Sequence, residues 1–488
     1  MDDHINTQPL LQCETESDFD DDDDLGISPP QHSVDDPTVV TKDTKPLFKQ
    51  RDPQDRYSIA YIIFYFLGMT TLIPWNFFIT ADDYWMYKFR DVNASHPASV
   101  FGNSSEGMSR TPLQKSFTAY LSVASTVPST LFLIANSALS HRISIHSRML
   151  GSFVAILGLF VITTVFVHVD TDACEKFSAN NLHDQEQFFY VTMAIVVALN
   201  SAGAVLTGGL FGMLGKFSPA YISAASSGQS LGGIFAAVAE IVSLWLGASP
   251  QLSAFVYFMV ANVFLVLSIV FYLVLIRAVF FKYHMEPQPQ LSVQFEPGCA
   301  PSVEEHVNSL SYKRVLSKVW VYGIAVWMCF FVSLSFYPAL TVLVESQNKG
   351  HGNAWNDKYF VPVVAYLIYS LFEFLGRVLA GRLLLPHQNA PALLLMSAAR
   401  VIFVPLLLYC NAQPRQHLPV LIHEDAIYIL IVVLFGFTNG YLVNITMISA
   451  PKACEYHEQE MAASIMSAFL GVGLSCGALL SMAIVSLI

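Results

Sequence analysis

Beyond Tyr57 this chain loses its charges for about twenty residues at a time, the length a helix needs to cross a bilayer. Residues 57–79, 117–138, 149–167, 188–215, 253–276, 319–344, 426–449 and 461–488 contain no Asp, Glu, Lys or Arg. Three further apolar runs, 219–246, 360–385 and 391–411, carry one to three charges each. In lipid the backbone must satisfy its own hydrogen bonds, so runs of this kind are helices rather than open strands. The pattern predicts an all-α polytopic membrane protein with eleven transmembrane helices. The tightest boundary lies between spans four and five, where only Lys216-Phe217-Ser218 intervenes.

The connections set the orientation. With the N-terminus cytosolic, 15 Lys and Arg fall on the cytosolic side and 8 on the other, while Arg377 and Arg400 lie within spans. That bias follows the positive-inside rule, and an odd number of spans leaves the C-terminus luminal. The loop 80–116 after span one holds two glycosylation sequons, at Asn93 and Asn103, on the luminal side. A third, at Asn444, falls inside span ten and is expected to stay unmodified. The connection 278–316, rich in Pro, Gln and Glu, divides a six-helix bundle at 57–277 from a five-helix bundle at 317–488. Such a 6+5 arrangement is major-facilitator-like, the plan of an alternating-access carrier. It excludes a seven-span receptor.

Composition adds the tail. The chain is 54% hydrophobic with 13% charged residues, and its formal charge is −12. Residues 1–56 alone hold 15 acidic and 5 basic residues, a net −10, including the Asp20–Asp24 run. This segment is expected to be a disordered, acidic cytosolic tail, because it has too little apolar area to bury. It lacks the apolar stretch of a cleavable signal, so span one is expected to start insertion.

Several chemistries are excluded. The seven cysteines have no metal-ligand spacing, and no metal, cofactor or nucleic-acid partner is expected. The Gly212-Met213-Leu214-Gly215-Lys216-Phe217 segment resembles a nucleotide-binding loop but has Phe217 where Ser or Thr must bind magnesium. Small residues for helix packing explain it better, as they do the Gly208/Gly212 and Gly473/Gly477 pairs. The chain is read as a non-enzyme.

The polar residues within spans carry the remaining information, since intramembrane charge persists only when paired or facing a cavity. Glu373 and Arg377 sit four residues apart on one helical face with Tyr369 and Ser370. Either they are a salt bridge that eases insertion, or they line a water-filled site where the five donors of Arg377 meet sugar hydroxyls. Gln229 offers a donor and an acceptor, either to another helix or to the edge of a base. Trp75, after the helix-opening Pro74, is either an interface anchor or a stacking surface for a flat ligand. Arg400 and Glu240 have no opposite charge within a turn in sequence. Each is expected to pair with another helix rather than touch substrate.

In order along the chain, Leu72-Ile73-Pro74-Trp75-Asn76-Phe77-Phe78-Ile79, Ser227-Gly228-Gln229, Tyr337-Pro338-Ala339, Gly376-Arg377, Arg400-Val401-Ile402-Phe403-Val404-Pro405 and Thr438-Asn439-Gly440-Tyr441-Leu442 form a set. This set resembles the equilibrative nucleoside transporters, above all their intracellular, lysosome-associated branch, from about residue 57 to residue 488. The resemblance implies a central site opened alternately to either side. In it Leu72, Trp75 and Tyr337 line the site, Gln229 meets the nucleobase, and Arg377 with its carboxylate meets the ribose. The chain departs from the family in having Glu373 where Asp is usual. It also has Asn6 where the sorting signal ahead of Leu10-Leu11 wants an acidic residue.

The expected function is facilitated diffusion of nucleosides such as adenosine and uridine, and of nucleobases, across the lysosomal or late endosomal membrane. Endosomal sorting adaptors are expected partners of the tail. An acidic lumen is expected to stimulate transport through Glu240 or Glu373. Proton-coupled flux, plasma-membrane uptake, and a channel or receptor-like protein are the alternatives.

Overall fold

The computed structural model describes residues 53–90, 112–139, 142–168, 181–247, 249–285, 312–383, 389–413, 415 and 417–487. All of them fall in one unit, Asp52–Ile488. The acidic tail with Leu10 and Leu11, and both sequons Asn93 and Asn103, lie outside the described residues. Among the described residues eleven helices are long and apolar enough to cross a membrane. They are α1 (Arg56–Ile79), α2 (Tyr120–Ala138), α3 (Ile145–Phe166), α4 (Gln185–Leu214), α5 (Pro219–Leu246) and α6 (Pro250–Leu275). The second set is α7 (Tyr312–Leu343), α8 (Pro362–Arg382), α9 (Ala390–Leu408), α10 (Asp425–Lys452) and α11 (Tyr456–Val485). Strand-type pairing among the described residues is confined to two isolated bridges, Val344 with Ala412 and Cys410 with Ile422.

Local chemistry explains the helix ends. Pro219 and Pro250 open α5 and α6 at a position where the missing N–H costs nothing. Gly247 closes α5 with a left-handed φ of 63°, which a side chain would strain. Three helices are irregular where polar residues gather. Pro74 interrupts α1, α8 begins with wide π-type turns over Pro362–Ile368, and α9 tightens to 3-10 geometry over Arg400–Ile402. Departures of this kind inside helices concentrate at functional positions. The connections differ from the boundaries drawn on charge alone. A short helix, Asp82–Lys88, follows α1, another, Val279–Met285, follows α6, and α7 begins at Tyr312.

The first bundle pairs α1 with α5 and α6, α4 with α2 and α3, and α3 with α6. The second pairs α7 with α11, α9 and α10, and α8 with α10. Where helices meet most closely, glycine is the reason. A Cβ on Gly228 would lie 2.0 Å from the Tyr65 carbonyl of α1, and one on Gly440 would lie 1.9 Å from the Glu373 carbonyl of α8. The expected small-residue pairs also meet other helices: Gly208 and Gly212 face Asn136 and Ser464, and Gly473 and Gly477 face the Trp327 and Phe331 carbonyls. Outward positions such as Val154, Val161, Val165, Val263 and Val270 are exposed and apolar, the surface a bilayer solvates.

The bundles touch each other along α5 with α8 and α10, and along α11 with α2 and α4. The α2–α11 contact is polar: Thr130 Oγ1 donates to the Gly471 carbonyl at 2.8 Å and pairs with Ser475, whose Oγ donates to the Thr126 carbonyl at 3.0 Å. At the end of the molecule where α6 finishes and α7 starts, Glu460 of α11 binds Arg148 at 3.2 Å and Lys216 at 2.9 Å. Arg148 also donates to Asn136 Oδ1 of α2 at 2.9 Å. Sequence counting assigned Arg148 to a loop; it is instead 4% exposed inside the bundle contact.

Candidate functional site

The buried face of α8 is the centre of the molecule's polar chemistry. Helical spacing places Tyr369, Ser370, Glu373 and Arg377 together, and α8 packs between α5 and α10. Arg377 is 3% exposed. Its Nη2 donates to Glu373 Oε1 at 2.8 Å. Its Nη1 donates across the bundle boundary to α5, to the Ser226 carbonyl at 2.7 Å and Gln229 Oε1 at 3.1 Å. Gln229 Nε2 continues the chain to Thr71 Oγ1 of α1 at 3.0 Å. One planar cation therefore ties both bundles together, a geometry that a fork of donors permits and a point charge does not. Among the described residues Arg377 Nε has no hydrogen-bond partner.

On the other side, Asn439 of α10 donates to Glu373 Oε1 at 2.9 Å and to the Tyr369 hydroxyl at 3.4 Å. Asn439 Oδ1 accepts from Arg400 of α9 at 2.9 Å and from Ser333 of α7 at 2.8 Å. The Tyr337 ring stacks on Tyr369 with centroids 3.9 Å apart. A Cβ on Gly233 would meet Ser370 Oγ at 3.0 Å and Asn76 Nδ2 at 4.0 Å, so α1, α5 and α8 converge beside this aromatic wall. Leu72 and Trp75 are half-buried on the adjoining stretch of α1, with Trp75 stacked on Phe78 at 6.1 Å.

The structure thus brings together Gln229, Glu373 and Arg377, with Tyr337 stacked on Tyr369 of the same helical face. It pairs Arg400 within the second bundle, which its isolation in sequence does not show. Thr71 and Ser333 were missed, because a lone hydroxyl in an apolar run usually bonds its own helix carbonyl. The sequon residue Asn444 is fully buried, donating to Ser223 Oγ at 3.0 Å and the Arg377 carbonyl at 2.6 Å. No group of three or more His, Cys, Asp or Glu among the described residues is placed to hold a metal ion.

Eleven apolar spans with paired charges held at the junction of two helical bundles define the class: a polytopic helical membrane protein with a polar central site. The nucleoside transporter family model matches residues 193–486. Equilibrative nucleoside transporter 1 of Homo sapiens is 35% identical over 457 residues, covering 88% of this chain and 97% of that protein. Equilibrative nucleoside transporter 3 of Rattus norvegicus is 33% identical over 436 residues, covering 87% and 88%. The chain belongs to the equilibrative nucleoside transporter family. The two identities are too close to assign it to one member's branch. Among solved structures, the E. coli fucose:proton symporter FucP superposes with a TM-score of 0.47 at 9% identity, over 88% of this chain and 97% of that one. The family assignment rests on the sequence relatives.

Proposed function

We propose that this protein carries nucleosides, and nucleobases with them, down their gradients by alternating access. The observation that carries the reading is Arg377, a buried cation hydrogen-bonded at once to Gln229 of the first bundle and Glu373 of the second. A ligand that binds there touches both bundles, so its occupancy bears on their relative motion. Vicinal ribose hydroxyls suit the guanidinium and the carboxylate, one offering donors only and the other acceptors only. Gln229 keeps one N–H and one lone pair beyond those given to Thr71 and Arg377, the complement a base edge needs. The half-buried rings of Trp75 and Tyr337 supply flat apolar surface. Because these groups are already paired, binding orders little that was mobile.

The Arg148–Glu460–Lys216 cluster ties the bundles at one end, and opening that end requires breaking it. With the N-terminus cytosolic and the C-terminus luminal, as the Lys and Arg bias supports, that closed end faces the cytosol. The membrane we assign is lysosomal or late endosomal, on the likeness of the span motifs to the intracellular branch of the family rather than on Leu10-Leu11, which has Asn6 in place of the acidic residue that sorting adaptors read. Uptake of radiolabelled uridine and adenosine by proteoliposomes tests the function. Saturation and acceleration by unlabelled nucleoside on the far side are the expected results. Flux no greater than in protein-free vesicles, or flux that never saturates, overturns it.

Two further outcomes are expected. Gln229→Ala raises the apparent KM about two- to tenfold, the worth of about 0.5–1.5 kcal/mol for a neutral hydrogen bond. Protein yield and melting temperature stay near parental, since Arg377 Nη1 still has the Ser226 carbonyl. A variant that fails to fold instead assigns Gln229 to helix packing. Transport is expected to be faster into the cytosol from an acidic lumen than from a neutral one, because a protonated Glu240 lets α5 repack during the switch between states without burying a charge. Glu240→Gln flattens that profile; an unchanged profile excludes Glu240 as the sensor. Accumulation against the nucleoside gradient marks proton coupling instead.

A further inference from the structure

Both protein hydrogen bonds that reach Glu373 end on the same oxygen. Oε1 accepts from Arg377 and from Asn439, while Oε2 accepts none among the described residues, and the side chain is 14% exposed. Which oxygen is held is decided one step further back. Asn439 presents its amide nitrogen to Glu373 because its carbonyl oxygen is engaged on the opposite side by Arg400 Nη1 at 2.9 Å and Ser333 Oγ at 2.8 Å. The reversed amide would set its NH2 group against a guanidinium and its oxygen against a carboxylate, two repulsive contacts in a buried site. Arg400 in turn has a fixed position. It is 2% exposed, donates to the Cys329 and Phe435 carbonyls at 2.8 and 3.1 Å, and binds Ser333 Oγ at 2.9 Å. The 3-10 turn of α9 over Arg400–Ile402 aims it there.

We propose that Arg400 and Asn439 are positioning residues that hold Glu373 by one oxygen and so present the other as the acceptor that selects substrates bearing ribose hydroxyls. This rests on the nucleoside reading above and adds its specificity mechanism. Arg400 itself does not meet the ligand; it acts through the amide, as outer hydrogen bonds orient a ligating carboxylate or imidazole elsewhere. Ser333 is the second donor that keeps the amide from turning.

The test is the ratio of uptake efficiencies, maximal rate over KM, for uridine and for dideoxyuridine, which lacks both ribose hydroxyls, in proteoliposomes of the full chain. The parent is expected to favour uridine. In Arg400→Gln and Asn439→Leu that preference falls by about tenfold, the effect of mislaying one hydrogen bond to a charged group. The loss appears in the KM for uridine, while dideoxyuridine stays within about twofold of the parent. Arg400→Lys and Ser333→Ala each leave one donor on the Asn439 carbonyl and give intermediate ratios; they replace Arg400→Gln if that variant does not yield monodisperse protein. A parent that does not distinguish the two substrates overturns the proposal. So does any variant in which both substrates fall in step, the mark of a structural role. A parent that carries neither refutes the substrate reading itself.

Discussion

Nucleoside uptake is expected to vanish in Arg377→Ala and to persist at only a small fraction of the parental rate in Arg377→Lys. The guanidinium serves Ser226, Gln229 and Glu373 from one rigid plane, joining α5 to α8. Lysine keeps the charge but concentrates its donors on one atom, so it reaches the carboxylate or the α5 acceptors and not both sides together. Alanine removes the charge as well and leaves Glu373 with Asn439 as its remaining protein donor. Stranding one partner of a buried ion pair costs about 3–5 kcal/mol, enough to lower a rate or a population by more than about a hundredfold. Initial uptake rates, normalised to reconstituted protein, decide the matter. Parental transport by Arg377→Lys overturns recognition by the fork and makes the pair structural.

The largest loss of stability is expected from a single methyl group, in Gly440→Ala. A Cβ there would lie 1.9 Å from the Glu373 carbonyl oxygen and 2.8 Å from its carbonyl carbon, both backbone atoms that cannot rotate away. The helices α8 and α10 must separate, and a Cβ on Gly376 would likewise lie 2.3 Å from the Phe437 carbonyl of α10, so the approach is close on both sides. Overpacking costs reach about 3 kcal/mol even where neighbours are flexible side chains. Here separation also pulls Asn439 from Glu373, so stability and transport fall together. Thermal unfolding in detergent measures the effect. A variant that melts with the parent would show that the two helices do not pack this closely.

The spans, their number and the pairing of Glu373 with Arg377 were legible in the sequence. Each depends on local quantities: the length of an apolar run against the bilayer thickness, and a four-residue spacing that returns to one helical face. Resemblance pointed to Gln229 and Tyr337, yet could not show that Gln229 bonds Arg377 rather than waiting free for a base. Arg148 shows the converse limit. Counting charges placed it in a loop, whereas folding buries it with Asn136 and Glu460.

The sequence by itself therefore determined the class of protein, because a membrane imposes its demands on every backbone segment separately. Only the tertiary structure decided the partners of Arg400, Asn439 and Arg148. Arg400 and Asn439 are 39 residues apart, and Arg148 and Glu460 are 312 apart. Nothing in a helix's own periodicity encodes which neighbour completes a buried charge. That is set by close helix approaches, such as α8 on α10, which bring polar groups from distant spans within hydrogen-bond reach and exclude the arrangements that would leave them unpaired.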